Sequence, residues 1–171
     1  PVISVLWALN GVYAFKYMEH IHNEKSFFVY YMLILGALTA LCLAASPGTM
    51  LAFFGAVIFL SAPLYTLEKN GETAAARRRY LIYALLCAVL CAAGFLLTLP
   101  AAGNPYFTRG GSLITEEQPG ASLLVGAFMA CLGFSGMAGM FPLQRWLSAA
   151  HPAAAAPASA ALSGVIAKAG I

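Results

Sequence analysis

Gly133-Phe-Ser-Gly136-Met137-Ala-Gly139-Met-Phe-Pro142-Leu-Gln144-Arg-Trp146-Leu-Ser-Ala-Ala-His151-Pro152 leads through a run of alanines into Pro157-Ala-Ser-Ala-Ala-Leu162-Ser163-Gly164-Val-Ile-Ala-Lys168-Ala-Gly-Ile171. The stretch reads as an apolar helix broken by Gly139 and Pro142, a short amphipathic crossing, and a second apolar helix carrying one lysine. Lys168 falls about eleven residues into that last helix, roughly 16 Å along its axis, near the middle of a bilayer core about 30 Å thick. A charge held at that depth is costly and points to function. The run stops three residues after Lys168, short of a complete span, so an internal piece of a larger membrane protein is expected. The missing initiator methionine and the absence of a basic leader before the first apolar run fit the same expectation.

Composition extends the membrane reading to the whole chain. Of the 171 residues, 61% are hydrophobic and 9% charged, and the mean hydropathy is +0.82. Soluble domains carry about 25% charged residues, so lipid or other helices must cover most of this surface. The expected fold is an all-α membrane bundle of about six transmembrane helices, one of them broken by Gly and Pro. The spans fall near residues 2–18, 27–45, 49–67, 80–99, 121–147 and 157–171, forming a single transmembrane domain. Phe27, Phe28, Tyr30 and Tyr31 open the second span as an interfacial aromatic cluster. Ser46-Pro47-Gly48 marks a tight turn before the third. Near the end of the third, Ser61 and neighbouring helices are placed to satisfy the carbonyl that Pro63 frees.

Charge distribution orients the bundle. Alternating spans put Lys16, Lys25, Lys69, Arg77, Arg78, Arg79 and Arg145 on one side and Arg109 alone on the other. Short basic loops stay in the cytoplasm, so the first, third and fifth connections are expected there and the loop holding Glu116 and Glu117 outside. A bacterial inner membrane is the expected location.

Several other chemistries are disfavoured. The net charge of +3 is scattered over loops rather than gathered with aromatics, which excludes a nucleic-acid groove. Cys42, Cys87, Cys91 and Cys131 lie in apolar runs without the spacing of a metal knuckle or disulfide framework. Cys87 and Cys91, at i and i+4, read as small packing residues rather than a metal pair. His20 and His22, beside Glu19 and Glu24, read as solvated loop residues rather than ligands. With no dinucleotide motif, cysteine cluster or haem-ligating histidine pair, neither a cofactor nor catalytic chemistry is expected in this chain.

The last forty residues resemble the proton-translocating antiporter-like family. That family comprises the antiporter-like subunits of respiratory complex I, multisubunit cation/proton antiporters, and membrane subunits of energy-converting hydrogenases. The resemblance rests on Gly133, Gly136, Gly139, Pro142, Trp146, Leu147, Ala150, His151, Pro152, Pro157, Ser159, Ala160, Leu162, Ser163, Gly164, Lys168 and Gly170. It implies helices three to eight of a whole of roughly fourteen, with other membrane subunits, the lipid bilayer and protons or sodium ions as partners. It also implies a subunit of a proton-translocating oxidoreductase of the NADH-quinone or hydrogenase type, or alternatively of a multisubunit monovalent cation/proton antiporter.

The same resemblance shows what has changed. The family's buried glutamate falls on Ile58 when counted back from Pro63-Leu64-Tyr65, or on Val57 with a one-residue slip. Its partner lysine falls on Met137, and an aromatic-histidine pair after the proline falls on Gln144. Removing one partner of a buried ion pair is strongly destabilising, whereas replacing both with apolar residues is close to neutral. The double loss therefore reads as a paired replacement that weakens or abolishes proton translocation here. Lys168 and His151 remain as proton-relay candidates. Lys168 serves either a shortened relay or carbonyls freed by a broken helix, and His151 either proton entry or a hydrogen bond within the crossing.

Overall fold

The computed structural model describes residues 2–19, 24–66, 71–102, 106, 107, 120–140, 144, 146, 156–161, 163, 166 and 167. Helix α1 spans Val2–Met18, α2 Glu24–Cys42, α3 Pro47–Ser61, α4 Gly71–Ala102, α5 Ala121–Met137 and α6 Ala156–Ala161. A 3-10 turn, Ala62–Thr66, extends α3. No strand occurs among the described residues. Glu24–Cys42, Pro47–Leu64 and Ala74–Pro100 are long and apolar enough to cross a membrane, and Ala121–Met137 is a shorter apolar helix. Outward-facing Val12, Met32, Val89 and Phe128 are 62–75% exposed, an apolar surface that calls for lipid or protein cover.

Local chemistry sets several helix ends. Ser46 caps α3: its hydroxyl accepts from the Thr49 N–H at 3.3 Å, and Thr49 Oγ1 accepts from the Ser46 N–H at 3.2 Å. Pro47 follows at the first helical position, where its missing N–H leaves no intrahelical bond unmade. The turn expected at Ser46-Pro47-Gly48 is thus the start of α3. At the other end, Pro63 cannot donate to the helix ladder, and the backbone tightens into the 3-10 turn after Ser61.

Helix α4 takes in more sequence than its apolar core alone suggests. It begins at Gly71, so Arg77, Arg78 and Arg79 are helical rather than part of the preceding connection. Ala74, Ala75, Ala76 and the arginines are strong helix formers, and the arginine stems can lie along apolar surface with their heads in water. Its 32 residues extend about 48 Å, longer than the roughly 30 Å hydrocarbon layer. The first turns therefore reach toward the membrane boundary.

Close backbone approach joins α4 to α5. A Cβ added to Gly94 would lie 2.5 Å from the Ala130 nitrogen and 2.6 Å from the Gly126 oxygen. One added to Gly126 would meet the Gly94 oxygen at 2.8 Å, and one on Gly133 would meet Cys91 Sγ at 2.5 Å and the Cys87 carbonyl at 2.7 Å. Sequence numbers rise along α5 as they fall along α4, so the two helices are antiparallel. The seam consists of Gly126, Ala130 and Gly133 against Cys87, Cys91, Gly94 and Thr98, the small-residue contact that membrane helices use in place of a hydrophobic drive. Cys87 and Cys91 serve it as packing groups.

The seam yields a contrast within one residue type. Gly94→Ala and Gly126→Ala should each destabilise the protein by about 1–3 kcal/mol through overpacking. Gly36, exposed mid-helix with nothing within 4 Å of an added Cβ, should accept alanine with no loss and a gain of up to about 1 kcal/mol. Thermal unfolding of the full-length protein in detergent reads all three; equal effects would contradict the assigned seam.

Candidate functional site: an apolar layer beside a broken helix

Two aromatic contacts and one hydrogen bond fix how α3, α4 and α5 align. Phe54 of α3 meets Phe134 of α5 edge-on at 5.7 Å, and Phe95 of α4 meets the same ring at 6.1 Å. Farther along, Ser61 of α3 bonds Tyr80 of α4 at 2.6 Å. Positions 54 to 61 on α3 therefore run against 95 to 80 on α4. Both α3 and α5 are antiparallel to α4 and hence parallel to each other.

That alignment brings Ile58 and Met137, where the resemblance expects a charge pair, to one level. Ile58 lies one turn beyond Phe54, and Met137 lies one turn beyond Phe134. Both have 0% exposure and share one hydrophobic core. Val57, the position reached by a one-residue slip, is also fully buried, so the layer is apolar under either register. Neither aliphatic nor thioether side chains titrate, and this layer has no ionisable pair at the positions where the resemblance expects one.

The next layer is polar but neutral. Ser61 is the one buried serine, threonine, amide or charged residue among the described residues. Its hydroxyl donates to the Ile58 carbonyl at 3.0 Å. Ser61 Oγ and the Tyr80 hydroxyl share a 2.6 Å hydrogen bond. Tyr80 also packs its ring on Trp146 at 5.4 Å. This tyrosine, which from sequence marks only the start of a span, links the end of α3 to Trp146 beyond the end of α5.

Trp146 completes the end of the broken helix. Its indole N–H donates to the Gly136 carbonyl at 3.0 Å, and the side chain is 2% exposed. Helix α5 stops at Met137, and Gly139 adopts φ 79°. Around that left-handed residue the Met140 N–H reaches the Ser135 carbonyl at 2.9 Å and the Gly139 N–H reaches Gly136 at 3.2 Å. Such a glycine-centred cap satisfies carbonyls that a terminating helix would otherwise leave bare. Gly139 therefore ends the helix by its own conformation. Gln144 is exposed rather than part of the buried layer. Pro142, His151 and Lys168 lie outside the described residues.

A second polar node ties α6 to the first two helices. Asn10, midway along α1, donates to Tyr31 Oη at 3.2 Å and to the Pro157 carbonyl at 3.1 Å. Tyr31 donates onward to the Trp7 carbonyl at 2.7 Å, and the two rings stack at 4.4 Å. An amide placed mid-span in an apolar helix is the signal from which this node is legible in sequence.

Known proteins place these features in a wider frame. Residues 44–171 match the family described as "NADH:quinone oxidoreductase/Mrp antiporter, TM". Hydrogenase-4 component B of Escherichia coli strain K12 is 30% identical over 174 aligned residues, covering 99% of this chain. The chain spans 25% of that protein's length. A solved chain of the membrane-bound sulfane sulfur reductase, an archaeal respiratory membrane complex, superimposes with a TM-score of 0.86 at 22% identity. That superposition covers 99% of this chain and 34% of the other, and it shows a shared fold.

Two substitutions probe the cap and the polar layer. Gly139→Ala forces a Cβ into the left-handed region and should cost about 1–2 kcal/mol. Tyr80→Phe removes one buried hydrogen bond and should cost about 0.5–1.5 kcal/mol. Denaturation of the full-length protein in detergent checks both; a Gly139→Ala protein as stable as wild type would contradict the cap.

Proposed function

The chain belongs to the NADH:quinone oxidoreductase/Mrp antiporter transmembrane family, and from that premise we propose that it forms part of an antiporter-like subunit of a complex I-related, ion-pumping oxidoreductase assembly. A hydrogenase-type assembly fits best with the similarity to a hydrogenase component. The bacterial inner membrane is its proposed site, with other membrane subunits as partners. In this reading the segment supports the assembly while translocating protons weakly or not at all.

The observation that carries the reading is the common level and complete burial of Ile58 and Met137. A proton route within a membrane needs groups that bind and release protons, and coupling needs a charge whose movement alters a neighbour's affinity. Isoleucine and methionine supply neither. Ser61 and Tyr80 are neutral hydroxyl groups, bonded to each other and to the Ile58 carbonyl. The proposed roles of Lys168 and His151 are those of proton-relay groups left on a shortened path.

The family also contains cation/proton antiporters, so a monovalent cation exchange subunit working through Lys168 is the second reading. Restoring the pair as Ile58→Glu with Met137→Lys, in the full-length subunit within its assembly, should raise the proton-to-electron ratio measured in inside-out vesicles. An unchanged ratio in a stably assembled variant would contradict the missing pair as the limiting feature. Lys168→Ala should leave sodium-dependent proton exchange unchanged; loss of that exchange would favour the antiporter reading instead.

A further inference from the structure

On the outer face of α4, Ala74, Arg77, Arg78, Leu81, Ile82 and Leu85 line one open groove of about 540 Å³. Their spacing of i, i+3, i+4, i+7, i+8 and i+11 is a single helical stripe. The stripe is zoned along its length. Two guanidinium groups occupy the end nearest the start of the apolar segment Ala74–Pro100, and the following two turns offer only Leu81, Ile82 and Leu85. No carboxylate lines the groove among the described residues.

We propose that this groove binds a phospholipid with a net negative headgroup. The phosphate sits between Arg77 and Arg78, and one acyl chain runs along Leu81, Ile82 and Leu85. The dimensions agree: residues 74–85 cover roughly 16 Å, about half of a 30 Å hydrocarbon layer and so about one leaflet. The charges agree as well. A planar guanidinium offers paired donors matched to phosphate oxygens, and a headgroup without its own cation leaves that phosphate uncompensated. Arg78, Ile82 and Leu85 are exposed while Arg77 is half-buried, so the headgroup end is open to water and the apolar end to the membrane. Arg79, also exposed, lies outside the groove and provides an internal comparison of site against surface charge.

Native mass spectrometry of the full-length subunit in detergent, titrated with phosphatidylglycerol or phosphatidylcholine, tests the assignment. The wild-type protein should prefer phosphatidylglycerol. Each arginine near an anionic lipid surface contributes roughly five-fold in affinity, so Arg77→Gln with Arg78→Gln should lower that binding about 30-fold. Arg79→Gln should keep the preference. Ala74→Glu, at the exposed rim, places a carboxylate one turn before Arg78; it should weaken phosphatidylglycerol binding without removing either arginine. Equal binding of the two lipids by the wild type, unchanged preference in the double variant and in Ala74→Glu, or equal loss in Arg79→Gln would each overturn the proposal. So would detachment of a neighbouring subunit from the assembly by the double variant with lipid preference intact, since the groove would then hold protein.

Discussion

A helix that ends within an apolar layer must find partners for its last carbonyls, because hydrocarbon offers none. Helix α5 ends in this way. Its last residue, Met137, lies at the level of Ile58, just short of the Ser61–Tyr80 bond and well within the apolar stretch of α4. The local solution is the left-handed turn at Gly139 together with the indole of Trp146 on the Gly136 carbonyl. Tyr80 then packs on Trp146 and bonds Ser61, so the ends of α3 and α5 are secured to α4. The Gly126–Gly133 seam fixes how far α4 and α5 can separate. Positions 58 and 137 inherit their place from these contacts.

A scaffold of this kind suits a mobile or strained charge pair, since a broken helix lets a charged side chain approach its partner near freed backbone groups. In this chain the scaffold is present and the charges at those two positions are absent. Apolar packing there avoids the cost of desolvating two ions, and the adjoining serine–tyrosine bond joins two neutral groups. At the end of α5, positions 58 and 137 thus carry packing side chains and not titrating ones. Charge persists at the edge of the bundle instead, where Arg77, Arg78 and Arg79 meet the membrane boundary on α4.

Much of this is legible in sequence because lipid restricts the options. Long apolar runs must be helices, and the all-α membrane fold follows from that restriction together with composition. Ile58 and Met137 are reached by counting back from Pro63 and Pro142, as the resemblance implies. What the residues alone did not reveal depends on three-dimensional register. Tight glycine contacts fall on Gly94, Gly126 and Gly133, and the partner helix decides which small residues meet. Likewise Ser46 reads as a turn residue until its reciprocal bonds with Thr49 show a helix start. The Tyr80–Ser61 bond joins residues 19 apart in the chain, and neither residue type specifies the other.

The shared level of Ile58 and Met137 is the claim on which the functional reading stands, and a double-mutant cycle of unfolding free energy measures it directly. Ile58→Glu and Met137→Lys should each destabilise the full-length protein by about 3–5 kcal/mol as unpaired buried charges, and the double variant should recover much of that loss through pairing. Purely additive destabilisation, with no coupling between the two sites, would contradict the account.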